Sequence, residues 1–165
     1  MEINISRLTS ELNLTQAVEV LNVSHGTVAK QFGFTKEDNP SNNAFVDAPT
    51  LKSQLEKGIE LYLMTLGNQP IGCIAIEEST KEIDTFYIEK VSVIPSFRNQ
   101  GFGVKLMDFA TSLIKERGCK RISISLIDSH SKLKQWYTRQ GFAETGTKDF
   151  PHLPFRVCFM SKETK

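Results

Sequence analysis

The residues of this chain best suited to holding an anion are Arg98, Asn99, Gln100, Gly101, Phe102 and Gly103, between an apolar run ending at Ile94 and a helical pattern starting near Phe102. Two glycines let the main chain turn tightly and approach a ligand with no Cβ in the way. The first N–H groups of a helix have no intrahelical acceptor and point outward. Such a turn suits a phosphate: the helix dipole adds a modest favourable field, and Arg98 supplies either direct charge or loop packing. The loop alone leaves a plain cap or a close helix contact equally open. No GKS or GKT follows it, which excludes a Walker loop, and GFGVKL lacks the third glycine of a dinucleotide fingerprint.

The elements around this loop alternate in kind. IELYLMTL from Ile59 and PIGCIAIEE from Pro70 are apolar runs separated by Gly67, Asn68 and Gln69, a hairpin signature. TFYIEKVSVI, from Thr85 to Ile94, reads as a third strand, stopped by Pro95, which cannot donate to a ladder. Gly103, Leu106, Met107, Ala110, Leu113 and Ile114 recur at three and four residues and predict an amphipathic helix closed by Gly118. RISISLI, residues 121 to 127, alternates as a strand does, and Ser129 or Ser131 can cap a helix running to Gln140 and Gly141. Strand, helix, strand in that order predicts a parallel pair joined by a crossover helix. FAETGTKDF and FRVCFM supply two closing strands around Pro151 to Pro154.

Before Ile59 the signals are weaker. Leu8, Leu12, Val18, Leu21 and Val23 predict one or two short helices with Thr9 or Thr15 as caps. Phe34 to Thr50, with two prolines and many Asn, Asp and Ser residues, reads as a surface loop, and helical spacing resumes at Leu51 and Leu55 until Gly58.

With 165 residues, 39% hydrophobic and 24% charged, the chain is long enough for one packed core and reads as one domain, 1–165. Twenty basic against nineteen acidic residues give a net charge of +1, without the positive field of a general nucleic-acid binder. Cys73, Cys119 and Cys158 form no CxxC pair and lie in apolar surroundings, so buried thiols are expected rather than metal ligands or disulfides. No stretch approaches the roughly 18 apolar residues of a membrane span, and a soluble protein in a reducing cytoplasm is expected.

VSVIPSFRNQGFGVKLMDFA, from Val91 to Ala110, resembles the acetyl-CoA motif of the GNAT superfamily of N-acetyltransferases, in which a strand ending in V-x-P leads to R/Q-x-x-G-x-G/A and an amphipathic helix. LKQWYTRQGF, from Leu133 to Phe142, is similar to that family's second signature, a tyrosine-bearing helix followed by a GF turn. The resemblance implies an α/β fold with a central mixed, mostly antiparallel sheet, a splayed parallel strand pair and flanking helices. Residues 1–58 would form a variable helical part on the acceptor side, and residues 59–165 the sheet and the acetyl-CoA-binding part. It further implies that acetyl-CoA is the acetyl donor, with no metal. The pantetheine arm would meet the backbone of Val93, Ile94 and Pro95, with Val91 beside it. The pyrophosphate would meet the amides across Arg98, Asn99, Gln100, Gly101, Phe102 and Gly103, and His130, Lys132 and Tyr137 would complete the cofactor wall.

Acetyl transfer to an amine needs a neutral lone pair, a place for the oxyanion and a proton for the leaving thiolate. A primary amine with a reference pKa near 10 is mostly protonated at neutral pH, so a base or a desolvating site is required. Glu89 is the candidate base; on a regular strand it shares a face with Tyr87, Val91 and Val93, and a bulge would change its facing. An exposed strand carboxylate is the alternative. The resemblance places the general acid at Tyr137, the alternative being a core tyrosine beside Leu133 and Trp136. The backbone N–H near Val93 is the simplest oxyanion donor. Related enzymes often carry Asn seven residues before the tyrosine, and His130 stands there in this chain, as an equivalent hydrogen-bonding group, a base or a surface helix-start residue. His152 is a candidate border of the acceptor pocket, and His25 is given no role. The expected partner is a small amine or a peptide amine, with a homodimer also implied; a silent acyl-CoA-binding module is the competing class.

Overall fold

The computed structural model describes residues 1–165. Its strands are β1 (Ile3–Arg7), β2 (Glu60–Leu66), β3 (Gln69–Glu78), β4 (Thr85–Val93), β5 (Arg121–Ile127), β6 (Ala143–Asp149) and β7 (Arg156–Glu163). Its helices are α1 (Glu11–Phe32), α2 (Ala48–Glu56), α3 (Phe102–Glu116) and α4 (Ser131–Arg139), with short 3-10 turns at Asn43–Phe45 and Pro95–Phe97. The seven strands form one sheet in the order β1-β2-β3-β4-β5-β7-β6. Every neighbouring pair is antiparallel except β4 and β5. The mixed α/β architecture expected from the two motifs is the one observed.

Alternation along the central strands divides the apolar residues between two layers. Ile74 and Ile76 of β3 join Leu106, Met107, Ala110 and Ile114 of α3 in the larger core. Cys73 and Ala75 face the other way, toward Leu14, Ala17, Val20 and Leu21 of α1 and Leu51 of α2. Period two on the strands and period 3.6 on the helices thus produce a three-layer packing with the sheet in the middle. The three cysteines are buried free thiols. Beside Cys158, the carboxylates of Asp128 and Glu144 are bridged by the Lys134 ammonium at 2.8 and 3.1 Å, so an internal cation already balances that acidic cluster.

Three readings of the first 58 residues are corrected. Ile3–Arg7 is a strand, not part of a helical segment, because its backbone pairs with β2 in the register Ile3↔Leu66. The one or two short helices expected over residues 8 to 24 are one helix of 22 residues that runs through Gly26. Ser10 caps it by accepting from the Asn13 amide at 3.2 Å, and Gly33 ends it in the left-handed region at φ 72°. The stretch read as a surface loop to Thr50 already contains the start of α2 at Ala48, capped by Asp47, which accepts from the Thr50 amide at 2.9 Å. Pro49 sits in the first turn of that helix, where a missing N–H costs nothing.

Candidate functional site

The parallel pair β4–β5 is joined only at its start, in the register Thr85↔Arg121, Phe86↔Ile122 and Tyr87↔Ser123. Beyond Tyr87 the strands part, and β5 keeps its other edge on β7 as far as Ile127. The Ile94 amide donates to Ile71 O of β3 at 2.9 Å. Alternation along the strand therefore turns the neighbouring Val93 amide toward the opening. That gap leads into a cavity of about 670 Å3 lined by residues of β4, β5, α1, α4 and the loop entering α3.

At the mouth of this gap the main chain is rich in free donors. Gly101 adopts φ 83° as the residue before α3, and no side chain caps that helix. The amides of residues 99 to 104 donate to no acceptor within the protein, and the first backbone bond of the helix is Lys105 N to Gly101 O at 3.1 Å. A left-handed glycine followed by unpaired helical amides is an anion cradle of the kind that holds a diphosphate. Arg98 does not reach into it. Its Nε donates to Val93 O at 3.0 Å, Nη1 to Thr27 Oγ1 at 3.0 Å and Nη2 to Ser24 O at 2.8 Å, so it clamps the loop onto α1. Of its two sequence readings, loop packing is the one seen. Gly103 also has a packing reason, since a Cβ there would stand 2.9 Å from Cζ2 of Trp136.

Glu89 and Lys90 share a bulge. Ala75 pairs with Glu89 and Cys73 with Ser92, so Lys90 and Val91 together stand opposite Ile74, and Lys90 takes φ 57°. The extra residue resets the alternation. Val91 and Val93 pack on the α3 side, whereas Lys90 and Ser92 reach partners on the α1 side. The regular-strand expectation that Glu89 shares the face of Val91 and Val93 is thereby corrected: Glu89 lies with Tyr87 on the α1 face. Glu89 Oε1 is buried without a hydrogen-bond partner. Burial first, and the nearby Glu77 carboxyl second, raise its pKa from 4.5 to about 7. At neutral pH this carboxyl is thus divided between its two protonation states.

Tyr137 is buried at 7% exposure, packs edge-on against Trp136 and Phe142, and lines the same cavity. Burial pushes its phenol upward, so it holds its proton at neutral pH. His130 caps α4, its Nδ1 accepting from the Leu133 amide at 3.4 Å, and its ring lies 5.3 Å from that of Phe32. Burial, and Lys132 after it, lower its pKa.

Glu89, Val91, Val93, Arg98, Asn99, Gly101, Phe102, Gly103, His130 and Tyr137 all line the cavity. Ile94, Pro95, Gln100 and Lys132 lie outside its lining, although the Gln100 amide belongs to the run of free donors. Tyr87 also stands apart, its hydroxyl 3.0 Å from Ser79 Oγ. His152 is exposed beside Phe150, and Leu153 and Phe155 from the same β6–β7 connection line the cavity instead.

The residue that sequence reasoning missed is His25. Its Nε2 lies 2.9 Å from Ser92 Oγ, and that hydroxyl donates to Lys90 O at 3.0 Å. With the hydroxyl proton so used, the imidazole must donate through Nε2, which leaves Nδ1 as an acceptor. Burial, reinforced by Lys90 and Arg98, lowers its pKa to about 4, so the ring is neutral at pH 7. Nothing local marks a histidine in mid-helix that meets β4 67 positions later in the chain.

A parted parallel pair, a free-amide cradle at its mouth and a carboxyl and a phenol in the cavity behind define an acyltransferase of the coenzyme A-dependent class. The chain belongs to the acetyltransferase (GNAT) family, whose model matches residues 29–142. It is 28% identical over 112 residues to an uncharacterized N-acetyltransferase of Chlorobaculum tepidum, covering 66% of this chain and 68% of that protein. Its fold is similar to that of the ribosomal-protein-S18-alanine N-acetyltransferase from Escherichia coli, with TM-score 0.76, 15% identity and coverage of 99% and 94%. It is also similar to PaiA N-acetyltransferase from Thermoplasma acidophilum in complex with coenzyme A, with TM-score 0.76, 18% identity and coverage of 99% of each chain.

Proposed function

We propose that the protein transfers the acetyl group of acetyl-CoA to the primary amine of a small molecule, by direct attack within a ternary complex. The observation that carries this reading is the run of unpartnered amides from 99 to 104 at the open end of the parted β4–β5 pair. Six main-chain donors left without acceptors beside a left-handed glycine fit the diphosphate of coenzyme A. The gap behind them fits an extended pantetheine arm that completes the interrupted strand pairing.

The chemistry then falls to three groups. Glu89, ionised, takes the proton of the acceptor ammonium directly or through water and frees its lone pair. The nitrogen attacks the thioester carbon, a C–N bond forms, and the carbonyl oxygen gathers charge that the Val93 amide is turned to meet. The C–S bond breaks, and the Tyr137 hydroxyl supplies the proton that the sulfur needs. The nitrogen, still carrying a surplus proton after its attack, passes it through water to the resulting phenolate, and Glu89 returns its own proton to solvent as the products leave.

A small acceptor is favoured by the cavity, whose volume of about 670 Å3 must hold the reactive end of the donor as well. Asn39 and residues 41–43, together with Leu153 and Phe155, help enclose it, the Phe155 ring lying 5.1 Å from that of Phe34 just beyond α1. Thiol release from acetyl-CoA, measured against amines grouped by charge and size, tests the reading. Turnover with compact amines is expected; binding of acetyl-CoA with no thiol release for any amine or amine-terminated peptide would make the protein a silent acyl-CoA-binding module.

A further inference from the structure

We infer that the acceptor amine also carries a carboxylate, which the Lys90 ammonium and the Asn39 carboxamide hold while the amine faces Glu89; the inference rests on the acyltransferase reading above.

Lys90 is only 8% exposed and forms no ion pair. Its Nζ donates to the neutral Oδ1 of Asn43 at 2.7 Å. Burial lowers its pKa, and the Glu89 and Glu77 carboxyls, beyond ion-pair distance, offset that only in part; a carboxylate in direct contact is the partner that removes the cost. Asn39, 1% exposed, leaves its Nδ2 without an acceptor. Both residues line the cavity that contains Glu89. The bulge at Lys90 makes the arrangement: with no extra residue, Glu89 and Lys90 would face opposite sides of the sheet, and with it both serve the α1 side.

The acceptor end thus presents a half-ionised carboxyl next to a cation and an unpaired amide donor. A zwitterionic amine matches that pattern with one opposite group for each. A polyamine would bring a second positive charge toward Lys90. One ammonium and one neutral amide also suit a singly charged carboxylate better than a dianionic phosphate. His25, held neutral, adds an acceptor without adding charge.

The test compares amino acids with their own carboxamides, which keep the amine and lose the anion. Wild-type kcat/KM is expected to favour the carboxylate by about tenfold or more, the size of one charge-assisted hydrogen bond made to a buried group. Lys90→Met should bring that ratio close to one. Asn43→Asp should do the same by the opposite chemistry, giving Lys90 an internal carboxylate. Thermal melting and acetyl-CoA affinity establish that each variant is folded. A wild-type ratio near one, or a ratio that survives both substitutions, overturns the inference while leaving the acetyltransferase reading intact. If no amine of any kind is turned over, the acetyltransferase reading fails, and calorimetry of the coenzyme A-saturated protein decides the inference separately. Binding of amino acids but not of their carboxamides, lost in Lys90→Met, supports it, and absence of binding overturns it.

Discussion

Gly103 of α3 faces the ring of Trp136 on α4 so closely that a Cβ on the glycine would stand 2.9 Å from Cζ2 and 3.4 Å from Cη2. The two sequence motifs therefore meet in space: the glycine loop and the tyrosine helix are one packed unit, and the missing side chain of the first makes room for the indole of the second.

Gly103→Ala accordingly sets two effects against each other. Replacing glycine by alanine in a helix gains up to about 1 kcal/mol, whereas forcing an extra carbon into a filled contact costs about 1–3 kcal/mol. The clash should win, so the melting temperature falls. In a Trp136→Ala background the clash is gone and the same substitution should raise the melting temperature. A double-mutant cycle by thermal or urea unfolding checks the change of sign, and equal effects in the two backgrounds would contradict the contact.

The same pair shows what was legible in the sequence. The motif from Val91 to Ala110 could be read because its signals are local: period two in β4, a proline stop, a glycine turn, then period 3.6 in α3. What could not be read depends on distant partners. Ile3–Arg7 is a strand because β2 receives it, and Gly26 stays helical because the face carrying Leu14, Ala17, Val20 and Leu21 is buried against the sheet and α2. The bulge at Lys90 has no glycine to announce it, so the face of Glu89 was open until the pairing with β3 was known. His25 was invisible for the same reason, and the run read as loop to Thr50 misled because Pro49 at a helix start looks like a breaker.

The raised carboxyl of Glu89 gives a pH prediction with a definite sign. A base works when ionised, so kcat/KM for the acceptor should rise with pH through a limb near 7, followed by a further rise as the free amine itself loses its proton. Glu77→Gln removes the like-charge neighbour and should move the first limb to lower pH, though not to the ordinary value, because burial is the larger cause. Glu89→Gln should abolish the first limb and leave the second. Stability follows the same group. Its folded pKa of about 7 lies above the ordinary 4.5, so its contribution is full below 4.5 and is lost as pH rises through about 7. Glu89→Gln should therefore gain melting temperature relative to wild type at pH 8 compared with pH 5.

Gly101→Val tests the cradle. The residue is exposed and a Cβ there would meet nothing within 4 Å, but φ 83° is a region that a β-branched side chain avoids. The strain should cost about 1–3 kcal/mol of stability and leave a folded protein whose loop no longer presents its amides together. Acetyl-CoA affinity, measured by calorimetry, should fall at least tenfold. Gly101→Asn, which tolerates left-handed backbone far better, should keep more affinity than the valine variant. Affinity unchanged by valine would remove the turn from the binding site.

Tyr137→Phe separates a proton donor from a packing residue. The ring contacts with Trp136 and Phe142 lie at centroid distances of 5.0 and 5.7 Å and survive the loss of the hydroxyl. The phenol oxygen is not among the buried polar atoms left unpaired, and Tyr137 lines the cavity, so removing the hydroxyl should change stability by less than about 1 kcal/mol. General-acid groups supply about 100-fold or more in rate, and kcat should fall by that order while acetyl-CoA affinity stays within a few-fold. The leaving-group pKa gives the decisive readout. An acyl donor whose thiol is more acidic needs less help from a proton donor, so the ratio of wild-type to Tyr137→Phe rates should shrink with such a donor. A ratio independent of the leaving group would place Tyr137 among the core aromatics and pass the proton to solvent.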